Sequence, residues 1–173
     1  ARLLAAPRDL LPLEAVTPSQ IESLVTALRR DFALTFIDLP TVWTAWTNRA
    51  LHLCDQIVLI TNLSVHHATL VKTQLRMLAA QRLDGITLTL VCNRVSVDQK
   101  AIVSQKAAER SIGRDFDFVI PEDRAMMNDA IAQGCQLSQV RAGTKVERAI
   151  AELANSIVPI SVSGDSKRRW LWQ

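Results

Sequence analysis

The chain has 173 residues, of which 49% are hydrophobic and 21% are charged, and its formal net charge is +3. This length allows one folded domain with a real hydrophobic core, and the composition excludes a disordered or fibrous protein. The basic residues are scattered except at the C-terminus, so the charge indicates no nucleic-acid-binding face.

Short apolar runs in the sequence predict strands that are covered on both faces. The predicted strands are LTFIDL (residues 34–39), QIVLIT (56–61), ITLTLVC (86–92) and FDFVIP (116–121), with RLLAA (2–6) as a fifth candidate. Between these runs the apolar residues recur with helical spacing. The first predicted helix starts directly after Thr17. Five further helices are predicted at approximately residues 43–53, 65–81, 99–110, 124–133 and 145–157.

The start of the first helix carries a specific signal. Thr17, Pro18 and Gln20 form a capping box with proline at the first helical position. The regular alternation of strands and helices along the chain predicts an α/β fold, with a mostly parallel sheet flanked by helices and right-handed crossovers.

Polar or turn-forming residues follow each of the four main predicted strands. Asp38 ends the first run, Asn62 and Asn93 follow the next two, and Pro121 leads into Glu122 and Asp123. In an open parallel sheet, ligands bind beyond the carboxyl ends of the strands. If the strands are parallel, these groups collect along one edge and form a candidate binding site.

Each of these residues also has a purely structural interpretation. A buried strand that ends on a carboxylate is costly unless the charge is used, so Asp38 is either a cation ligand or the N-cap of a helix near Thr41. Asn93 could be part of a turn. Glu122 and Asp123 could serve as acidic residues at the start of the next helix.

Several familiar chemical motifs are missing from these residues. All five glycines are isolated, so neither GxxxxGK[ST] nor GxGxxG is present and no phosphate-binding loop is evident. The adjacent His66 and His67 do not share a helical face, which disfavours a metal pair. Three widely spaced cysteines predict buried thiols in a reducing cytoplasm, and no apolar run approaches the roughly 18 residues that a membrane span needs.

The ordered motifs of the chain resemble the ParA/MinD superfamily of P-loop ATPases. The matching segments are RLLAAP, EAVTPSQIESLVTALRRDFALTFIDLP, WTNRALHLCDQIVLITNLSV, LVCNR, FVIPEDRAMMNDAIAQGCQLSQV and TKVERAIAELA. The match is best to the CpaE/TadZ branch, whose members help to place and assemble Flp-type (tight-adherence) pili in bacteria. The resemblance covers nearly the whole chain up to about residue 157.

The resemblance implies a role for each matching site residue. Asp38 stands at the position of the Walker B aspartate, which holds the magnesium of the nucleotide, usually through water. Asn93 matches the position that reads the adenine base. Pro121, Glu122 and Asp123 match the loop that lines the adenine, largely through its backbone. ATP and magnesium are thus the cofactors implied for the intact parent protein, while this chain alone need bind neither.

The family's Walker A loop precedes the segment that matches RLLAAP and is not among these residues. The resemblance therefore implies an incomplete ParA-like ATPase domain over residues 1–160, without hydrolysis of its own. We expect a homodimeric scaffold that positions pilus and secretion machinery proteins, in the cytoplasm and at the inner face of the membrane or the cell pole. The alternatives are an active dimeric ATPase in the full-length form, or a DNA-partitioning ParA-type ATPase, which the weak basic clustering disfavours.

Residues 161–173 form a basic tail in this interpretation. Lys167, Arg168 and Arg169 stand next to Trp170 and Trp172. Basic residues beside aromatic side chains favour weak contact with an anionic membrane. A solvated tail, or a docking peptide for a pilus protein, are the other interpretations.

Overall fold

A computed structural model describes residues 2–5, 12, 14–96 and 103–157. The described residues divide into two compact units, one ending at Cys54 and the other spanning Asp55–Ile157. We describe each unit by itself.

The first unit is built on two helices, α1 (Pro18–Asp31) and α2 (Ala45–Leu53). The predicted capping box is confirmed: the N–H of Gln20 donates to Thr17 Oγ1 (3.3 Å), and the N–H of Thr17 donates to Gln20 Oε1 (2.8 Å). The helices bury a small apolar cluster between them, formed by Ile21, Val25 and Ala50 with Ile37, Leu39, Trp46 and Leu53 packed against it.

The predicted strands at residues 2–6 and 34–39 are wrong within the described part of the chain. Neither residues 2–5 nor residues 34–39 form a strand, and the sheet contains neither segment. A strand needs a neighbour to satisfy its backbone hydrogen bonds, and apolar side chains alone do not supply one. Ile37 packs against the α1–α2 cluster instead, while Phe36 is 69% exposed.

The second unit contains a three-stranded parallel sheet in the order β1 (Gln56–Asn62), β2 (Thr87–Val95) and β3 (Phe118–Pro121). This confirms the predicted α/β class and the parallel direction of these three strands. β2 runs on to Val95, beyond the predicted end at residue 92, and β3 starts at Phe118 rather than at residue 116.

Helices cover both faces of this sheet. The helices of this unit are α3 (Val65–Ala80), α4 (Gln105–Ile112), α5 (Arg124–Gln133), α6 (Leu137–Val140) and α7 (Lys145–Ile157). The bounds of α5 and α7 agree with the prediction. The first part of the helix expected at residues 99–110 lies outside the described residues, and the short α6 was not expected.

The central strand β2 supplies the core of both faces. Leu90 packs with Ala68 and Val71 of α3, while the next residue, Val91, packs with α7. Both side chains are fully buried. Because successive strand residues point to opposite faces, this two-sided core explains why β2 is continuously apolar in sequence.

The amino-terminal side of β3 is tied to β2 by Asp117. Its Oδ2 accepts the backbone N–H of Leu90 (2.7 Å) and a guanidinium N–H of Arg114 (2.9 Å). Partial burial acts to raise the pKa of Asp117, but the hydrogen bond from Leu90 and the charge of Arg114 outweigh it and lower the pKa. The carboxylate form is therefore the one that stabilises this junction.

We expect Asp117→Asn to lower the free energy of unfolding by about 1 kcal/mol at neutral pH, since it removes a charge-assisted acceptor that is partly screened by solvent. The native pKa lies below the unfolded value, so this contribution is present above about pH 4 and is lost as the pH falls through the native pKa. Urea unfolding at pH 7 and pH 3 measures it, with the exposed Asp115→Asn as the matched control. An equal loss at both pH values would contradict the assignment.

Candidate functional site at the carboxyl edge of the sheet

The register of the strands places three of the predicted polar groups on one edge of the sheet. Asn62 at the end of β1 lies opposite Asn93 of β2, and Val95 of β2 lies opposite Pro121 at the end of β3. All three strands run in the same direction, so this edge collects their carboxyl ends. The convergence predicted for the second, third and fourth strands is therefore present, and it defines what we call the carboxyl edge.

Asn93 stands at a break in the regular pairing of β2. The register shifts between Cys92 and Val95, and Arg94 within this bulge has a φ of 56°. The left-handed conformation costs roughly 1–2 kcal/mol for a residue other than glycine. Asn93 Oδ1 accepts the N–H of Arg94 (2.9 Å). The side-chain NH₂ group of Asn62 faces the nearby carbonyls and donates to the backbone oxygen of Asn93 (3.1 Å). Bulges are enriched beside binding sites, where they redirect side chains.

The loop after β3 is held by its backbone and by both acidic side chains. The N–H of Glu122 donates to the carbonyl of Val95 (3.0 Å), and the Glu122 carboxylate pairs with Arg124 (2.8 Å). Asp123 accepts the N–H of Met126 (3.1 Å) as the N-cap of α5. Asp123 therefore has the structural role that the sequence allowed, at the start of the helix. Any contact of Asp123 with a ligand would be a second role.

An open cleft of about 390 Å³ lies against this loop. One side is formed by Pro121, Glu122 and Asp123, and the other by the segment from Arg141 to Val146 together with Arg148. Arg141 reaches across to the carboxylate of Asp123 (3.4 Å). The guanidinium of Arg148 has no hydrogen-bond or ion-pair partner among the described residues.

Sequence reasoning missed the basic side of this cleft, although a signal was present. Thr144 and Glu147 have the spacing of a capping box, and Gly143 just before them has a left-handed φ of 74°. In the structure the N–H of Glu147 donates to Thr144 Oγ1 (3.2 Å), and the N–H of Gly143 donates to the Glu147 carboxylate. This motif starts α7 and presents Lys145 and Arg148 to the cleft.

Asp38 lies in the first unit, on the non-helical segment between α1 and α2, and it is exposed. The helix-capping alternative is wrong, because α2 begins at Ala45 and Thr44 is its N-cap. Thr44 Oγ1 accepts the N–H of Thr47 (3.3 Å). The role of Asp38 as a magnesium ligand stays a prediction.

The cysteines and histidines give no second reactive centre within the described ranges. Cys92 is fully buried, and its burial, with a smaller contribution from Glu109, raises the pKa of the thiol to about 11, so it is protonated at neutral pH. Cys54 and Cys135 are only half-buried, short of the predicted burial. His67 Nδ1 hydrogen-bonds to Ser64 at the start of α3 (2.7 Å), and in residues 2–5, 12, 14–96 and 103–157 no group of three metal-binding side chains is found.

The basic tail, with Lys167, Arg168, Arg169, Trp170 and Trp172, lies outside the described residues. Among the helices that the structure does describe, none has the length and apolar character needed to cross a membrane.

No protein-family model matches the chain, and no protein of curated function matches it in sequence. Solved structures do match its fold. A ParA family ATPase from Chlorobium tepidum TLS superposes with a TM-score of 0.69 at 16% identity, over 81% of this chain and 57% of that one. The septum site-determining protein MinD from Pyrococcus horikoshii OT3, solved with Mg-ADP, gives a TM-score of 0.65 at 18% identity, over 83% and 58%.

The MinC:MinD cell division protein complex of Aquifex aeolicus gives a TM-score of 0.62 at 15% identity, over 82% of this chain and 59% of the matched chain. The chain therefore has the α/β fold of ParA/MinD-type P-loop ATPases, and it spans less than two thirds of the length of these structures. At these identities the likeness concerns the fold.

Proposed function

We propose that this chain is part of a ParA/MinD-type nucleotide-binding module, of the CpaE/TadZ branch, which acts as a dimerising scaffold that positions pilus-assembly proteins. One observation carries the nucleotide part: the parallel register brings Asn93 and the Pro121–Asp123 loop to the same carboxyl edge. Ligands of open parallel sheets bind at this edge. The pilus part rests on the sequence resemblance.

The residues of the edge fit an adenine ring. Asn93 is only half-buried, and while its Oδ1 accepts the N–H of Arg94, its NH₂ group and the second lone pair of Oδ1 remain for the edge of a base. The carboxylates of Glu122 and Asp123 are already engaged with Arg124 and with the start of α5. Recognition by this loop therefore falls to its backbone groups and to the ring of Pro121.

Asp38 is proposed separately, from the sequence resemblance, as the carboxylate that holds the magnesium of the nucleotide through water. An exposed carboxylate that caps no helix is free to take such a hard cation. The metal would neutralise the charge of the phosphates when bound.

Two other functions belong to the same fold. The first is an active dimeric ATPase, in a full-length form that carries the glycine-rich phosphate loop of the family. A DNA-partitioning ATPase requires a surface rich in cations, whereas the basic side of the cleft faces the carboxylates of Glu122 and Asp123. The scaffold is the function that we favour, because the sequence resemblance is best to the CpaE/TadZ branch. Its proposed partners are a second copy of the chain and proteins of the pilus or secretion machinery, at the cell pole or the inner face of the membrane.

We expect the chain to bind ADP and adenosine weakly, and Asn93→Ala to weaken both by roughly tenfold, because the base loses its hydrogen-bonding partner. Isothermal titration calorimetry in the presence of Mg²⁺ measures the two affinities. Asn155→Ala is the matched control. It removes the same side chain from an exposed position of α7, ten residues or about 15 Å along the helix from Lys145. Equal affinities of wild type and Asn93→Ala would contradict the assignment of Asn93.

We also expect no ATP turnover by this chain above the uncatalysed rate, since these residues include no glycine-rich loop with its lysine to hold the phosphates. A phosphate-release assay at saturating ATP and Mg²⁺ tests this. Turnover that Asp38→Ala abolishes, but that Asp84→Ala at an exposed turn leaves intact, would show that the chain is an enzyme and would overturn the scaffold proposal.

A further inference from the structure

Among the residues that the structure describes, two that are not glycine have a positive φ: Arg82 (58°) and Arg94 (56°). The end of α3 explains the first. The N–H of Arg82 donates to the carbonyl of Ala79 (2.9 Å), and the N–H of Leu83 donates to that of Leu78 (2.9 Å). A left-handed residue is the usual way for a helix to end with its last carbonyls satisfied.

Arg94 has no such explanation, because no helix ends there. It lies in the bulge of the central strand β2, next to Asn93 and one residue before Val95, which pairs with Pro121. Glycine adopts a left-handed conformation without steric cost, so glycine would serve the fold better at this position. Unfavourable backbone conformations are retained where the side chain has a use.

Among the described residues, no polar contact of the Arg94 side chain accounts for this cost. The residue is exposed, and its guanidinium has no hydrogen-bond or ion-pair partner in the described part of the chain. The backbone N–H of Arg94 donates to Asn93 Oδ1 (2.9 Å), so this contact involves the main chain and not the guanidinium.

We propose that Arg94 binds the base of an adenine nucleotide by stacking its guanidinium plane on the ring. This inference rests on the proposed function and adds a specificity residue to it. A guanidinium is planar, weakly hydrated and attracted to aromatic faces. A phosphate contact is the competing use of the guanidinium, and titration with pyrophosphate separates the two.

The test compares Arg94→Gly, Arg94→Lys and wild type in calorimetric titrations with adenosine, ADP and pyrophosphate. We expect Arg94→Gly to weaken adenosine and ADP alike, by about threefold to tenfold. Arg94→Lys keeps the charge but loses the planar group, so it should recover only part of the affinity. The melting temperature of Arg94→Gly should be unchanged or higher, because glycine relieves the backbone.

Arg82→Gly is the matched control, since it makes the same change at the other left-handed arginine and should leave adenosine affinity unchanged. Equal adenosine affinity of wild type and Arg94→Gly would overturn the stacking role. So would a loss confined to ADP and pyrophosphate, which would identify a phosphate contact. Absence of adenosine binding by the wild type would overturn the proposed function itself, and this inference with it.

Discussion

Two-sided packing of one strand determines the arrangement of the site. Leu90 and Val91, adjacent in β2 and fully buried, pack with α3 on one face and α7 on the other. A shift of the strand by one residue would exchange the two sets of contacts, so the register is strongly specified. The register in turn fixes which residues meet at the carboxyl edge: Asn62 with Asn93, and Val95 with Pro121.

The contacts that hold the loop after β3 also limit which side chains of the carboxyl edge are left for a ligand. Asp123 caps α5 and contacts Arg141, and Glu122 pairs with Arg124. These acids position the loop beside the cleft and are not free charges. Two other side chains at the edge are left for a ligand: the half-buried amide of Asn93 and the exposed guanidinium of Arg94. Arg94 lies in the bulge of β2 and has an unfavourable backbone conformation. Such a combination suits a planar, hydrogen-bonding ring, on which a guanidinium can stack and to which a carboxamide can hydrogen-bond.

Much of this fold could be predicted from the sequence, because the determining signals are local. The capping box at Thr17 gives the start of α1, and the unbroken apolar run around Leu90 predicts a strand covered on both faces. Residues 34–39 show the limit of such reasoning. Their apolar pattern fits a strand, but strand formation depends on a neighbour elsewhere in the chain, and that is not a local property.

The site was predictable to a similar extent. Once the strands are inferred to be parallel, Asn93 and Pro121 are expected at the same edge of the sheet, as the structure has them. The bulge at Arg94 and the basic side of the cleft at Arg141 and Arg148 depend on backbone conformation and on packing of distant segments. No periodicity in the sequence reports these features. Only the capping motif at Thr144 gave a local indication that α7 begins beside the cleft.

The most direct test of the central claim is a map of backbone amide chemical shifts during titration of the isotope-labelled chain with adenosine. We expect the largest changes at Asn93, Arg94 and Val95 and at Glu122 and Asp123, which lie at the carboxyl edge. The amides of Gln56, Thr87 and Phe118, at the opposite ends of the same strands, should stay unchanged. Changes concentrated at those amino ends, or no changes at saturating adenosine, would contradict a base-binding site at the carboxyl edge.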